Sequence, residues 1–273
     1  MGPVPRSVTL DDVHDFWNDA SCGERLYLAG TTRAEYAQQA EQRYALEPYI
    51  ETLAGFDAAR GQRVLEIGVG LGADHQRFAE AGAVLSGIDL TERAVEHTRQ
   101  RLHAFGLAAD VSVGNAEHLG FSDRTFDVVY SWGVLHHTPD TPAAILEVHR
   151  VLREGGTARI MIYHSSSLVG AMLWLRYALL RGRPWLPLQH IYSRYLESPG
   201  TKAYSRAEAR TLFARFREVN IRTVLTHGDL LTSGAGQGHE GAALSFARRV
   251  WPRPLFRRYC QRLGLFMLIE ARK

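Results

Sequence analysis

Residues 64–72 read VLEIGVGLG, a short apolar run that stops at three alternate glycines. Such a run reads as a strand buried on both faces, and the glycines at its carboxyl end read as a tight turn into a helix. That pair of features points to a parallel sheet covered by helices. The downstream sequence repeats the rhythm. AVLSGID (83–89), VSVGNA (111–116), FDVVYSW (126–132) and TARIMIY (157–163) read as further strands. Helical patterns separate them: about Asp74 to Ala81, then Thr91 as a cap before the stripe Val95, Thr98, Leu102 and Phe105, closed by Gly106. Thr141-Pro142 reads as the cap and first-turn proline of a helix whose face is Ile145, Val148 and Leu152. Strands alternating with helices of ~10–15 residues form βαβ units, whose ligands sit beyond the carboxyl ends of the strands.

Outside 60–164 the rhythm changes. Residues 33–54 are helical, with Ala37, Ala40 and Tyr44 on one face and Pro48 opening a second short helix. After Tyr163 the stretch LVGAMLWLRYALL is too short to span a bilayer, which takes ~20 apolar residues. Ser205 and Glu208 form a capping box that restarts the pattern, and VNIRTVLTH and LGLFMLIEA read as the last strands. The division expected is an N-terminal helical extension or lid (1–59), a ligand-binding core (60–164), an insertion capping the acceptor side (165–204) and completion of the sheet (205–273).

Composition narrows the class. With 45 % hydrophobic and 22 % charged residues over 273, the chain reads as globular, neither disordered nor fibrous. Cys22 and Cys260 lie far apart, which argues against a thiol zinc site or a redox pair. The first seventeen residues hold no apolar core of a secretory leader, so a cytoplasmic location, peripheral to a membrane at most, is expected. Charge is uneven: residues 1–164 carry 14 Lys and Arg against 23 Asp and Glu (net −9), residues 165–273 carry 18 against 6 (net +12). That asymmetry favours an anionic acceptor, a membrane surface or a nucleic acid near the C-terminal part.

Gly68, Gly70 and Ala73 fit the dinucleotide fingerprint, and Asp89 ends the second strand where an acid would take ribose hydroxyls. These indicate an adenosine-bearing cofactor without separating a nicotinamide from S-adenosylmethionine. The later blocks do separate them. VLEIGVGLG (64–72), GIDLTERAV (87–95), GNAEHLGF (114–121), FDVVYSWGVLHH (126–137) and ILEVHRVLREGG (145–156) together resemble the class I S-adenosylmethionine-dependent methyltransferases, in the small-molecule branch that includes the ubiquinone and menaquinone enzymes.

The resemblance implies a Rossmann-like α/β fold, mostly parallel with an antiparallel last strand. It implies that Gly68, Gly70 and Gly72 pass under the methionine part of S-adenosylmethionine, with Glu66 near its amino group. Asp89 would hold the ribose, Leu90 the adenine face, Asn115 and Ala116 the adenine edge, and Ser131 would line the sulfonium. The family usually has an acid at the position of Asn115; an amide oxygen can still accept from an adenine amino group. S-adenosylhomocysteine would be the product.

For catalysis the candidates are His136, His137 and Tyr163. The histidines serve as proton acceptors if they face the acceptor and as turn residues if they do not. Trp17, Tyr27 and Tyr36 read either as a lid or as core aromatics. Glu197, His227 and Asp229 have no role that the sequence assigns. No metal-ligand spacing is present, so metal independence is expected. The activity expected is methyl transfer to a small organic acceptor, apolar or anionic, with O-methylation favoured and carbon, nitrogen and sulfur acceptors left open. Alternatives are a membrane-resident quinone or lipid, RNA as a less favoured acceptor, or a non-enzymatic adenosine sensor. Residues 168–183 and 248–262, with arginines among apolar and aromatic side chains, are the candidate membrane-surface contacts. A nicotinamide dehydrogenase is disfavoured, because neither Lys202 nor Lys273 follows a tyrosine by four.

Overall fold

In the computed structural model, which describes residues 8–233, 245 and 248–273, seven strands form one sheet. They are β1 (Arg63–Ile67), β2 (Val84–Asp89), β3 (Asp110–Val113), β4 (Phe126–Trp132), β5 (Leu152–Tyr163), β6 (Glu218–Val224) and β7 (Phe266–Arg272), in the order β3-β2-β1-β4-β5-β7-β6. Neighbours from β3 to β5 are parallel, and β7 runs antiparallel to both β5 and β6. The fold is the Rossmann-like one expected. The order reverses between β1 and β4, the position where open α/β sheets place their ligands.

Burial explains the continuous apolar strands. Leu65, Ile67, Val129, Ile160 and Ile162 belong to one core, with Ile145, Val148 and Phe213. Their neighbours Val64, Val128, Tyr130, Met161 and Tyr163 belong to a second core, with Ile50, Phe56 and Phe78. Both faces are therefore covered, as a parallel sheet requires.

The helices of the core are α5 (Ala73–Glu80), α6 (Glu92–Phe105) and α7 (Thr141–Val151). Thr91 caps α6 by accepting from the Ala94 N–H, and Gly106 closes it at φ +68°. The cap of α7 is Asp140, not Thr141, which is the first helical residue; the Asp140 carboxylate accepts from the Ala143 N–H at 3.0 Å. An acid there also suits the positive end of the helix. Strand β5 begins five residues before the predicted TARIMIY, because pairing with β4 resumes across an irregularity between Phe126 and Val128.

Before the sheet stand α1 (Leu10–Asp19), α2 (Glu24–Tyr27), α3 (Arg33–Leu46) and α4 (Tyr49–Ala54). Capping boxes at Thr9/Asp12 and Thr32/Glu35 start α1 and α3. A fully buried arginine of α6 fastens this extension. Arg101 donates to Gln76 Oε1 (2.8 Å), Gln39 Oε1 (2.7 Å), Leu71 O (2.9 Å) and Tyr36 O (2.6 Å), which ties α3 to the glycine turn.

Residues 165–204 hold α8 (Leu168–Tyr177), a short 3₁₀ turn and α9 (Leu188–Tyr195). The helix α10 (Arg206–Leu212) carries the Ser205/Glu208 box. The chain between β6 and β7 is longer than a sheet connection needs. Its described parts include α11 (His227–Leu230) and α12 (Arg253–Tyr259), so 205–273 also contributes to the cap. Asp229 gathers the cap: its carboxylate accepts from the N–H groups of Val169 (3.1 Å), Thr226 (2.9 Å) and Leu265 (2.9 Å), and its carbonyl accepts from Trp251 Nε1 (3.0 Å). The reading of the chain's first residues falls partly on 1–7, outside the described residues.

Candidate active site

The glycine turn is shaped by conformations that a side chain would oppose. Gly68 sits at φ +85°, and a Cβ there would stand 2.1 Å from Val134 Cγ2. Gly72, at φ +74°, meets Thr98 within 3.1 Å. Gly70 is different. At φ +53° a Cβ would meet nothing within 4 Å, yet Gly70 lines a cavity of about 790 Å³. The backbone there leaves the cavity floor open.

Asp89 supports this turn from the end of β2. Its Oδ2 accepts from the Gly70 N–H (3.1 Å), and its Oδ1 accepts from the N–H and hydroxyl of Thr91 (3.0 Å each). Burial pushes its pKa up against these donors, which pull it down. Oδ1 is filled by its two bonds from Thr91, whereas Oδ2 keeps acceptor capacity for a further hydroxyl. Leu90, Asn115 and Ala116 line the same end. Asn115 Oδ1 takes the Glu117 N–H at 2.9 Å and retains a second lone pair.

Glu66 also lines the cavity, although only 2 % of it is exposed. Its Oε2 lies 2.8 Å from His75 Nδ1. Burial drives His75 down to about 3 and Glu66 well above the carboxylate range, so the pair is neutral. Ser131 does not reach the cavity. It is fully buried and donates to Ile67 O at 3.0 Å, because strand alternation turns its neighbour Trp132 toward the ligand space instead.

Several wall residues carry no sequence signal. Arg43 of α3 borders the cavity with Nη2 2.8 Å from Asp74 Oδ2. Tyr44 (2.9 Å) and Tyr130 (2.8 Å) also donate to Asp74. Burial would raise Asp74, but the Arg43 charge and these hydroxyls hold it lowered. Glu47, one turn further along, is lifted by burial to about 7.

Elsewhere along the cavity wall, Tyr163 donates to Glu197 Oε2 at 2.6 Å, and His137 Nε2 lies 3.4 Å from the same oxygen. A carboxylate can only accept, so the ring turns Nε2–H toward Glu197, and Nδ1 faces the hydroxyls of Ser198 (2.7 Å) and Thr201 (3.1 Å). Burial raises Glu197, but His137 and the Tyr163 hydroxyl outweigh it and hold the carboxyl below its usual range. Burial pushes Tyr163 well above the usual phenol range, so it stays a neutral donor.

His136 is placed elsewhere. It is fully buried, does not border the cavity, and neither ring nitrogen finds a hydrogen-bond partner. Burial, then the neighbouring His137 and Lys202, holds it well below the usual histidine range.

Trp17 and Tyr27 border the cavity, whereas Tyr36 is a core residue with no exposure. The outer wall is apolar and comes from the cap: Met172 and Leu173 of α8, Leu231, Trp251 and Leu265. His227 joins it, while Asp229 stays behind as the buried anchor. The donor set fits an adenosine-bearing ligand with a carboxylate: a diol acceptor in Asp89, apolar cover in Leu90, a cation in Arg43 and an open floor at Gly70.

Comparison with known proteins agrees with this arrangement. Residues 65–160 match the family model described as a methyltransferase domain. The chain is 34 % identical over 161 residues to an uncharacterised protein of Mycobacterium tuberculosis, covering 57 % of this chain and 58 % of that one. It is 31 % identical over 159 residues to the methyltransferase GfsG of Streptomyces halstedii, covering 57 % and 52 %. A ubiquinone biosynthesis O-methyltransferase of Thiobacillus denitrificans is 34 % identical over 97 residues, covering 35 % and 42 %. The chain thus spans between about two fifths and three fifths of the length of these relatives. In fold it is similar to the YcgJ protein of Bacillus subtilis, with a TM-score of 0.54 at 18 % identity over 83 % of this chain and 98 % of that one.

Proposed function

We propose that this chain, whose residues 65–160 match the model of a methyltransferase domain, is a class I S-adenosylmethionine-dependent methyltransferase that moves a methyl group from that cofactor to a small apolar acceptor with an ionisable hydroxyl. One observation carries the reading. A single cavity joins the glycine turn, the Tyr163–Glu197–His137 cluster and the apolar wall of the cap. Its volume, about 790 Å³, lies toward the upper end of the ~300–1,000 Å³ common for small-molecule sites, which suits two ligands side by side.

When bound, the cofactor supplies a methyl group on a sulfonium, open to in-line displacement. The chain's part is to bind, align and keep water out. Asp89 takes the ribose hydroxyls and Leu90 covers the adenine. Asn115 and Ala116 meet its edge, and Arg43 meets the carboxylate. The apolar wall fixes the acceptor, a proximity effect that supplies much of the rate. Glu197 accepts the acceptor's proton through Oε1, while Oε2 is held by Tyr163 and His137. The base thereby moves from the histidine pair to a carboxylate that the pair's second member positions. O-methylation is further supported by the relative named for that reaction in ubiquinone biosynthesis.

The test has two arms. Calorimetric titration with S-adenosylhomocysteine should show micromolar binding, and NADH should show none. Labelled methyl transfer to a panel of apolar phenols should then identify an acceptor. With that acceptor, Glu197→Gln lowers turnover by ~10²-fold or more and leaves S-adenosylhomocysteine affinity unchanged. A loss of only a few-fold would make Glu197 pocket lining.

A further inference from the structure

Two basic segments, whose arginines the reaction does not use, border the same cavity. Leu175 and Leu180 line its mouth from the α8 side, and Arg248 and Trp251 line it from the β6–β7 connection. Asp229 joins the two, taking the Val169 N–H at the start of α8 and the Trp251 indole N–H. Residues 168–183 contain three arginines and residues 248–262 contain six; neither stretch contains an Asp or Glu. The same stretches expose apolar side chains that a water-facing surface does not need. Leu180 is 75 % exposed and Tyr259 74 %, with Leu179, Val250 and Leu255 also open, and Trp185, two residues past the first stretch, is 74 % exposed. No helix among the described residues is long and apolar enough to cross a membrane.

We infer that this rim docks on the surface of an anionic phospholipid bilayer, with the mouth of the cavity facing the lipid. Arginines meet the phosphates while the leucines, tryptophan and tyrosine enter the region between headgroups and acyl chains, as in helices that lie on membranes. Charge complementarity selects an anionic partner. The exposed aliphatic residues select lipid over RNA, because Leu179, Val250 and Leu255 offer a nucleic acid neither a stacking plane nor a phosphate donor. An acceptor dissolved in the bilayer would then reach the apolar wall without crossing water. The docking itself does not depend on which reaction the cavity performs.

Co-sedimentation of the full chain with vesicles tests it. Vesicles of equal parts phosphatidylglycerol and phosphatidylcholine should bind the protein, and pure phosphatidylcholine should bind it at least tenfold more weakly. Arg257→Gln with Arg258→Gln, outside the cavity lining, should lower partitioning ~25-fold, about fivefold per arginine at an anionic surface. Leu179→Glu with Trp185→Glu should reduce it by at least as much. Circular dichroism melting unchanged in all four positions separates lost docking from lost fold; if the glutamate pair melts early, the glutamine pair decides alone. Equal binding to both vesicle types, or partitioning unmoved in a folded variant, overturns the inference. So does a single-stranded RNA oligomer that binds more tightly than the anionic vesicles and displaces the chain from them.

Discussion

Replacing Arg101 by methionine should destabilise the fold and loosen the cofactor end of the cavity together. The guanidinium is fully buried and makes four hydrogen bonds, to two side-chain and two backbone oxygens. Burial lowers its pKa to about 10, so removing the charge recovers part of the desolvation cost. Gln39 and Gln76 can turn to other donors. The carbonyls of Tyr36 and Leu71 cannot, and each buried acceptor left unpaired costs about 1–3 kcal/mol. The net loss is therefore ~4 kcal/mol. At about 2–4 °C per kcal/mol for a chain of this size, Tm should fall by roughly 8–16 °C. Because Leu71 lies in the glycine turn and Tyr36 in α3, which carries Arg43, S-adenosylhomocysteine should also bind more weakly. Urea unfolding followed by circular dichroism gives the first number and calorimetry the second. A stability loss below ~1 kcal/mol would show that Arg101 is a passenger and that the extension is held by its other contacts, among them those of Arg43 and Tyr44 with Asp74.

Asp89→Ala removes the diol acceptor together with the ties to Gly70 and Thr91, so S-adenosylhomocysteine affinity should fall by about 1–3 kcal/mol; unchanged affinity in calorimetry would refute the ribose placement. Glu47 titrates near 7 in the folded chain against its ordinary 4.5, so between those values the folded state keeps a proton that the unfolded state has released, and stability falls as pH rises. Glu47→Gln removes that slope, and its stability relative to the parent should rise by up to about 3 kcal/mol between pH 4 and pH 8 in urea titrations; parallel curves would refute it.

Much of the core was legible because its signals are local. Apolar strands, the glycine turn, Asp89 and the Thr91 and Ser205 caps each depend on neighbours within a few residues. The chemistry was less so. His136 and His137 are adjacent on one turn, and only the fold decides that the second meets Glu197 while the first is sealed behind it. Ser131 and Trp132 differ in the same way at the end of β4. Arg101 lies beside Leu102 in a helix whose visible stripe is Val95, Thr98 and Leu102. Nothing local shows that a second helix, α3, covers the arginine.

Arg43, Glu47 and Glu197 share one origin: all come from segments outside the strand–helix alternation, the extension and the insertion. The sheet fixes where a cofactor can lie, since its glycine turn must follow β1 wherever this order of strands occurs. The cap has no such constraint. The charged residues of the extension and the insertion acquire their chemistry only by docking: Glu47, at the end of α3, is raised by burial, and Glu197 is lowered because Tyr163 and His137 meet it. Both carboxylates border the one cavity, and their opposite shifts come from what packs against each of them. Acceptor choice should therefore change with the cap while the donor stays the same. Exchanging Met172 or Leu173 for smaller residues should alter which acceptors are methylated far more than how tightly the cofactor binds.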